Sequence, residues 1–346
     1  MKKICIYIAI ILFSASSMFA KNIVIVATGG TIAGSAKSST QTVGYKAGSV
    51  GVDEIIQSVP ELANIKDAKI TSEQVLQIGS ENFTNEDLLK LAKRVKEILK
   101  TSDAVVITHG TDTLEETAYF LNLVINTDKP IILVGSMRPS SAISADGAMN
   151  LYNSVLVANS ADSKKKGVMV VFNDNIFDAR NVTKSNSYKV DAFSSPNTGA
   201  IGFVHNGKIS FTNNVTTTNT FASEFDIDNI KKLPQVDILV GSSGATSTYI
   251  DAARKAKIDA IIYAGTGNGS LATPIIKELT NARADGIMVV RASRISAGHV
   301  ARDDEMDKNG FIASYDLSPQ KARILMMVGL TKSKDEKYLQ GLFSKY

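Results

Sequence analysis

The sequence predicts an α/β protein of two domains, each built on a mostly parallel sheet, with the larger domain first. Three observations carry this reading. Short apolar runs alternate with amphipathic helical patterns, as parallel strands covered by helices on both faces require. A stretch rich in Thr, Asn and Ser interrupts the alternation, which then resumes. The loops that combine Gly, Thr and Asp follow apolar runs, where open α/β sheets bind their ligands.

Residues 1–20, MKKICIYIAIILFSASSMFA, set Lys2 and Lys3 before an apolar run from Ile4 to Phe13 and a small-residue stretch. This is the three-part pattern of a secretory signal peptide, with cleavage fitting after Ala20. The run is shorter than the ~20 residues that span a bilayer. Cys5, the only cysteine, lies at the start of the run instead of after it, so the lipoprotein arrangement is absent. A mature chain without cysteine excludes disulfides and thiol catalysis. The expected destination is the periplasm, with no stable membrane association.

The first domain, residues 21–210, reads as buried strands at 23–27, 104–108, 131–134 and 167–172. A helix at 85–99 places Leu88, Leu91, Ala92, Val95, Ile98 and Leu99 on one face, and Thr84 and Asp87 suit its cap and third position. Residues 211–229 are poor in apolar side chains and read as a linker, which extends to 235. The second domain, residues 236–346, has strands at 236–240, 260–263 and 287–291. Its helices fall near 248–257, 273–282 and 319–330, the last opened by Ser318-Pro319.

Composition excludes several functions. Of 346 residues, 44% are apolar and 21% charged, the balance of a globular protein. Without Lys2 and Lys3, the 38 basic residues become 36, against 34 acidic. Phosphate backbones demand a concentrated basic face, so a nucleic-acid partner is not expected. The densest basic run, Lys164–Lys166, reads as a solvated turn. His109, His205 and His299 lack metal-ligand spacing, so neither a metal nor a cofactor is expected.

Two loops carry chemistry. The first strand runs into Ala27-Thr28-Gly29-Gly30-Thr31-Ile32-Ala33-Gly34, where glycines permit close backbone approach to a ligand. No lysine follows Gly34 and the dinucleotide spacing is absent, which leaves a hydroxyl, Thr31, presented at a strand end. Alone, the segment is equally a tight strand-to-helix turn. The second loop is Thr108-His109-Gly110-Thr111-Asp112-Thr113. Thr111 and Asp112 are equally helix-cap residues taken singly. That reading weakens when the same hydroxyl-glycine chemistry follows two strands of one sheet.

Together these segments resemble the two signature motifs of the bacterial-type L-asparaginases, ATGGTIAG at 27–34 and ITHGTDTLEETAYF at 107–120. The similarity continues through GSMRPSSAISADG at 135–147, VTKSN at 182–186, AGTGNGS at 264–270 and SPQKAR at 318–323, and so covers the whole mature chain. With the leader, the chain looks like the type II, periplasmic branch. The resemblance implies an asparaginase/glutaminase-like fold and an enzyme that converts L-asparagine to L-aspartate and ammonia through an acyl-enzyme.

By the same resemblance Thr31 is the nucleophile and Tyr45 handles its proton, under a lid at 35–44. Thr111, Asp112 and Lys184 form a second hydroxyl-carboxylate-lysine group, and loop amides stabilise the oxyanion. Ser80 and Glu81 bind the α groups of the substrate, and Asp112 pairs with its ammonium. Asn268 and Glu305 reach the site from a neighbouring subunit of a homotetramer. An amide is a poor electrophile and threonine a weak nucleophile, so both proton-handling groups have a chemical reason. Glu81 resembles the more asparagine-selective branch of the family, which implies that glutamine is the weaker substrate. Glu81, Asp112 and Glu305 near one ammonium oppose each other's ionisation, so activity is expected to fall as pH drops and they become protonated. His109 is expected to be structural. Competing readings are a broad glutaminase-asparaginase, the asparaginase-like subunit of a tRNA-dependent amidotransferase, and an amino-acid binding protein. The near-neutral charge and the leader oppose the second, and a binding protein has no need of both hydroxyl groups.

Overall fold

The computed structural model describes residues 20–346; the expected leader lies, apart from Ala20, outside the described residues. The chain runs β1 (Lys21–Gly29), α1 (Val52–Gln57), β2 (Ala68–Ile78), α2 (Asn85–Ile98), β3 (Ala104–Thr108), α3 (Leu114–Val124), β4 (Ile131–Val134), α4 (Gly147–Asn159), β5 (Val168–Phe172) and β6 (Asn175–Asp178). The short strands β7 (Thr183–Lys184) and β8 (Phe193–Ser194) pair with each other, and the hairpin β9 (Gly202–His205) and β10 (Lys208–Phe211) follows. The second sheet comprises β11 (Val236–Val240), β12 (Ala260–Gly265), β13 (Met288–Ser293) and β14 (Phe311–Ala313), with helices α5 (Thr248–Ala256), α6 (Thr273–Ala284), α7 (Asp304–Lys308), α8 (Pro319–Gly329) and α9 (Glu336–Lys345).

The first sheet has the order β10-β9-β6-β5-β4-β3-β1-β2 and the second β11-β12-β13-β14. β2, β1, β3, β4 and β5 are parallel neighbours, and the far edge is antiparallel. Successive side chains of a strand face opposite ways. In β3, Val105 and Ile107 therefore enter one core and Ala104 and Val106 the other. The apolar run at this position has no polar alternation because both of its faces are covered. The first core continues past the sheet into Val236, Ile262, Val290 and Leu325 of the second domain, so the two sheets share buried packing. Each such side chain contributes roughly 1.5–3 kcal/mol by burial. The connection between the sheets also sends Phe225, Ile227, Ile230 and Leu233 into this core.

Helix starts follow local chemistry. Thr84 Oγ1 accepts the Asp87 N–H at 3.2 Å and Asp87 Oδ2 accepts the Thr84 N–H at 3.0 Å, a reciprocal capping box. Ser318 Oγ accepts the Lys321 N–H at the start of α8, with Pro319 in the first turn. Across the domain seam, Arg180 makes a bidentate pair with Asp316 at 2.6 and 2.8 Å.

Candidate active site

The carboxyl ends of β2, β1 and β3 lie side by side and open into one cavity of about 450 Å3. Glycines let the three loops stack. Gly30 has φ +80°, and a Cβ built there would lie 2.4 Å from both Cα and N of Gly110. A Cβ on Gly110 would in turn lie 2.6 Å from Ser80 Oγ. The residues just beyond these contacts, Thr31, Thr111 and Glu81, line the cavity together with Tyr45, Ser80, Asp112 and Lys184.

Thr31 opens a single 3-10 turn, Thr31–Ala33, and its Oγ1 lies 2.7 Å from the Tyr45 hydroxyl. Tyr45 returns to it through the 35–44 excursion. That excursion is closed by a Ser35–Lys46 bridge and by the Gly48 N–H donating to Gly30 O at 2.9 Å. It is tied to the loop after β4 by the Ala36 N–H to Ser141 Oγ and the Ile143 N–H to Ser39 O, at 2.9 and 2.8 Å. Burial pushes the Tyr45 phenol above its ordinary value. The bond to Thr31 pulls the other way, and the negative charges of Asp112, Asp146 and Glu81 push it up further. Tyr45 is therefore a phenol at neutral pH, and it can take a proton from Thr31 only while passing its own onward.

Opposite lies a second group. Lys184 Nζ donates to Thr111 Oγ1 at 2.9 Å and to Asp112 Oδ1 at 2.6 Å. Asp112 is 61% exposed at its side chain, and its Oδ2 has no protein donor among the described residues. That oxygen is open to a ligand cation. The Lys184 N–H donates to buried Glu115 Oε2 at 2.9 Å, which fixes β7 against α3. Ser80 is buried; its carbonyl accepts the Thr113 hydroxyl at 2.9 Å, and Glu81 stands exposed beside it.

His109 is buried and tied into the fold at both ring nitrogens. Its Nδ1 lies 2.8 Å from Gly110 O, which only accepts, so Nδ1 carries the proton and Nε2 takes the Thr117 hydroxyl at 3.0 Å. Full burial lowers its pKa to about 4, against the small opposing pull of the Gly110 carbonyl. The ring stays neutral at working pH and packs on Phe83 at 4.5 Å.

Comparison with known proteins fixes the lineage. Residues 22–217 match the family described as Asparaginase, N-terminal, and residues 235–343 match the Glutaminase/Asparaginase C-terminal domain. The chain belongs to the asparaginase/glutaminase family. The Glutaminase-asparaginase of Pseudomonas fluorescens biotype A is 49% identical over 94% of this chain and 90% of its own. The Probable L-asparaginase periplasmic of Haemophilus influenzae is 44% identical over 94% and 93%. The crystal structure of the Probable Cytoplasmic L-asparaginase from Campylobacter jejuni superposes with a TM-score of 0.92 at 46% identity, covering 94% of this chain and all of that one.

Within one copy of this asparaginase-family chain, seven of the nine residues singled out from the sequence line the cavity. Asn268 and Glu305 do not. Asn268 follows β12 in the second domain, where its Oδ1 accepts the Ala301 N–H at 3.1 Å and Arg291 donates to its carbonyl. Glu305 sits at the start of α7. The structure adds residues that carried no assigned role. Met137 and Arg138 line the cavity, and their N–H groups donate to Asp146, which also takes Asn150 Nδ2. Ser187 and Tyr188 close another side. The GSMRPSSAISADG segment is the signal that points to the first set.

Proposed function

We propose that this chain hydrolyses the side-chain amide of L-asparagine to L-aspartate and ammonia, with Thr31 as nucleophile. The observation that carries the reading is the pairing of two hydroxyls with proton-handling side chains, Thr31 with Tyr45 and Thr111 with Lys184 and Asp112, in one cavity at neighbouring strand ends. Thr31 Oγ1 attacks the amide carbon, and its proton passes through Tyr45 to the departing nitrogen, which leaves as ammonia. Loop amides hold the oxyanion, a contribution of ~3 kcal/mol per donor. Water then attacks the aspartyl ester with Thr111 and Lys184 moving its proton, and Thr31 regains its hydrogen. Asp112 Oδ2 and Glu81 receive the substrate ammonium, and Ser80 the α-carboxylate end.

Asparagine and glutamine share the α-ammonium that Asp112 and Glu81 receive, so the selectivity lies in the one methylene that separates their amide carbons from it. Ammonia release from asparagine and glutamine, assayed side by side on residues 21–346, is expected to give kcat/KM at least about tenfold higher for asparagine. Equal efficiencies would make it a broad glutaminase-asparaginase. Stoichiometric binding without ammonia would remove the enzyme reading altogether.

The reading extends to assembly and location. Asn268 and Glu305 complete the site of a neighbouring copy in a homotetramer, which is why both lie outside the cavity of their own chain. The leader carries the chain to the periplasm, in keeping with the relative named periplasmic. Among the described residues no helix is long and apolar enough to cross a membrane. Osmotic-shock fractionation followed by light scattering is expected to find a periplasmic species of four chains; a fully active monomer, or a cytoplasmic pool, would overturn the corresponding half.

A further inference from the structure

The SPQKAR segment, singled out in the sequence, is given no part by the chemistry above. Its lysine, Lys321, is 2% exposed and lies in the second domain on α8. Its Nζ crosses the seam and donates to the carbonyls of Arg180, at 2.8 Å, and Val182. Those carbonyls belong to the turn that leads directly into Thr183 and Lys184. We propose that Lys321 is a positioning residue, holding from the second domain the strand that carries Lys184. The proposal rests on the reading of Lys184 as a working group of the site.

The strand is gripped from two directions. Glu115 of α3 takes the Lys184 N–H, and Lys321 of α8 takes the two carbonyls upstream. Asp178 organises the same turn by accepting the N–H groups of Arg180 and Asn181, both at 3.1 Å. Two residues beyond Lys321, Arg323 donates to Val236 O at 2.8 Å and reaches Glu116 of the Thr111 loop-helix at 3.4 Å. The segment thus touches both the turn before Lys184 and the helix that follows the Thr111 loop.

Energetics argue against a purely structural lysine. A buried ammonium costs several kcal/mol unless fully compensated, and an apolar residue of the same volume generally serves packing better. Here the hydrogen bonds go to carbonyls, and the Tyr119 ring lies 6.0 Å away. Burial is the largest influence and brings the lysine pKa down to about 8; Glu115 and Asp178 attract the ammonium, and Arg180 repels it. What this costly group secures is the place of Lys184, whose contacts of 2.6 and 2.9 Å tolerate little displacement.

The test uses Lys321→Met and Lys321→Gln, with Lys184→Met beside them. Each is followed by asparagine turnover, the pH profile of kcat/KM and a urea melt. Lys321→Met is expected to lower kcat about ten- to a hundredfold with KM changed less than about threefold, and to shift a limb of the profile by about half a unit or more. Lys321→Gln, which keeps one donor, is expected to fall between. A profile merely scaled down, unshifted, alongside a lower melt makes Lys321 structural and overturns the proposal, as does failure of both variants to fold. If Lys184→Met turns over normally, the reading of Lys184 itself has failed; if Lys184→Met is dead while Lys321→Met matches the parent, only the positioning proposal has.

Discussion

Thr31→Ala is expected to lower kcat on asparagine by on the order of 10⁴-fold or more, with the fold intact. The substitution removes the γ-methyl and the γ-oxygen of a residue just past the end of β1. That oxygen makes one side-chain hydrogen bond, to Tyr45, and neighbouring Ile32 and Ala33 keep the turn packed. The stability change should therefore stay near ~1 kcal/mol. The chemical loss is larger because no acyl-enzyme can form, and the amide must then be attacked directly by water. Rapid quench of the parent chain with asparagine, followed by peptide mass analysis, is expected to find an aspartyl adduct on Thr31 and none in the variant. Tyr45→Phe is expected to fall less, about 10²-fold, because it keeps the nucleophile and removes only the proton path. A Thr31→Ala enzyme retaining more than about a hundredth of parental kcat would move the nucleophile elsewhere, with Thr111 next in line.

Some parts of this molecule are legible in the sequence and others are hidden for physical reasons. β3 and β4 fall at the expected residues because strands covered on both faces are apolar throughout and bounded by turns. α2 is legible through its capping box as much as its apolar face. β2 is not, although Ser80 and Glu81 hang from its end. It is the edge of the sheet, and its side chains alternate between partly covered and exposed instead of forming an apolar run. The antiparallel edge is also absent from the sequence reading, yet it carries a readable signal. Asn206-Gly207 joins β9 to β10 with φ of +49° and +71°, the two-residue turn that matches strand twist. Asn173-Asp174 does the same between β5 and β6 with +46° and +64°.

The site divides in the same way. Thr31, Thr111 and Asp112 lie on strand-end loops, so period and composition point to them. Lys184 comes from a two-residue strand with no periodicity of its own, and only the family resemblance finds it. Ser187 and Tyr188 enter through loop geometry that local sequence does not express. Asn268 and Glu305 are beyond any single-chain argument, since one copy keeps them out of the cavity.

Gly30→Ala is expected to damage the site by a different route from losing the nucleophile. The first cost is local: φ of +80° disfavours any residue with a Cβ by roughly 1–2 kcal/mol. The second is a collision. The added methyl would sit 2.4 Å from Gly110 Cα and N and 2.9 Å from His109 C, all backbone atoms that no rotamer change can clear. Relief requires the β1 and β3 loops to part, and these carry Thr31 and Thr111. A displacement of about 1 Å in such a constellation is worth about 10² in rate. Gly199→Ala separates the two costs, since Gly199 has φ of +76° and a Cβ added there would meet nothing within 4 Å. The control is expected to lose about 1 kcal/mol in a urea melt and keep its activity. Gly30→Ala is expected to lose clearly more stability and at least about 100-fold in kcat/KM. Equal melts and equal activities for the two variants would mean that the loops bearing Thr31 and Thr111 do not meet at Gly30, and the juxtaposition on which the chemistry depends would have to be redrawn.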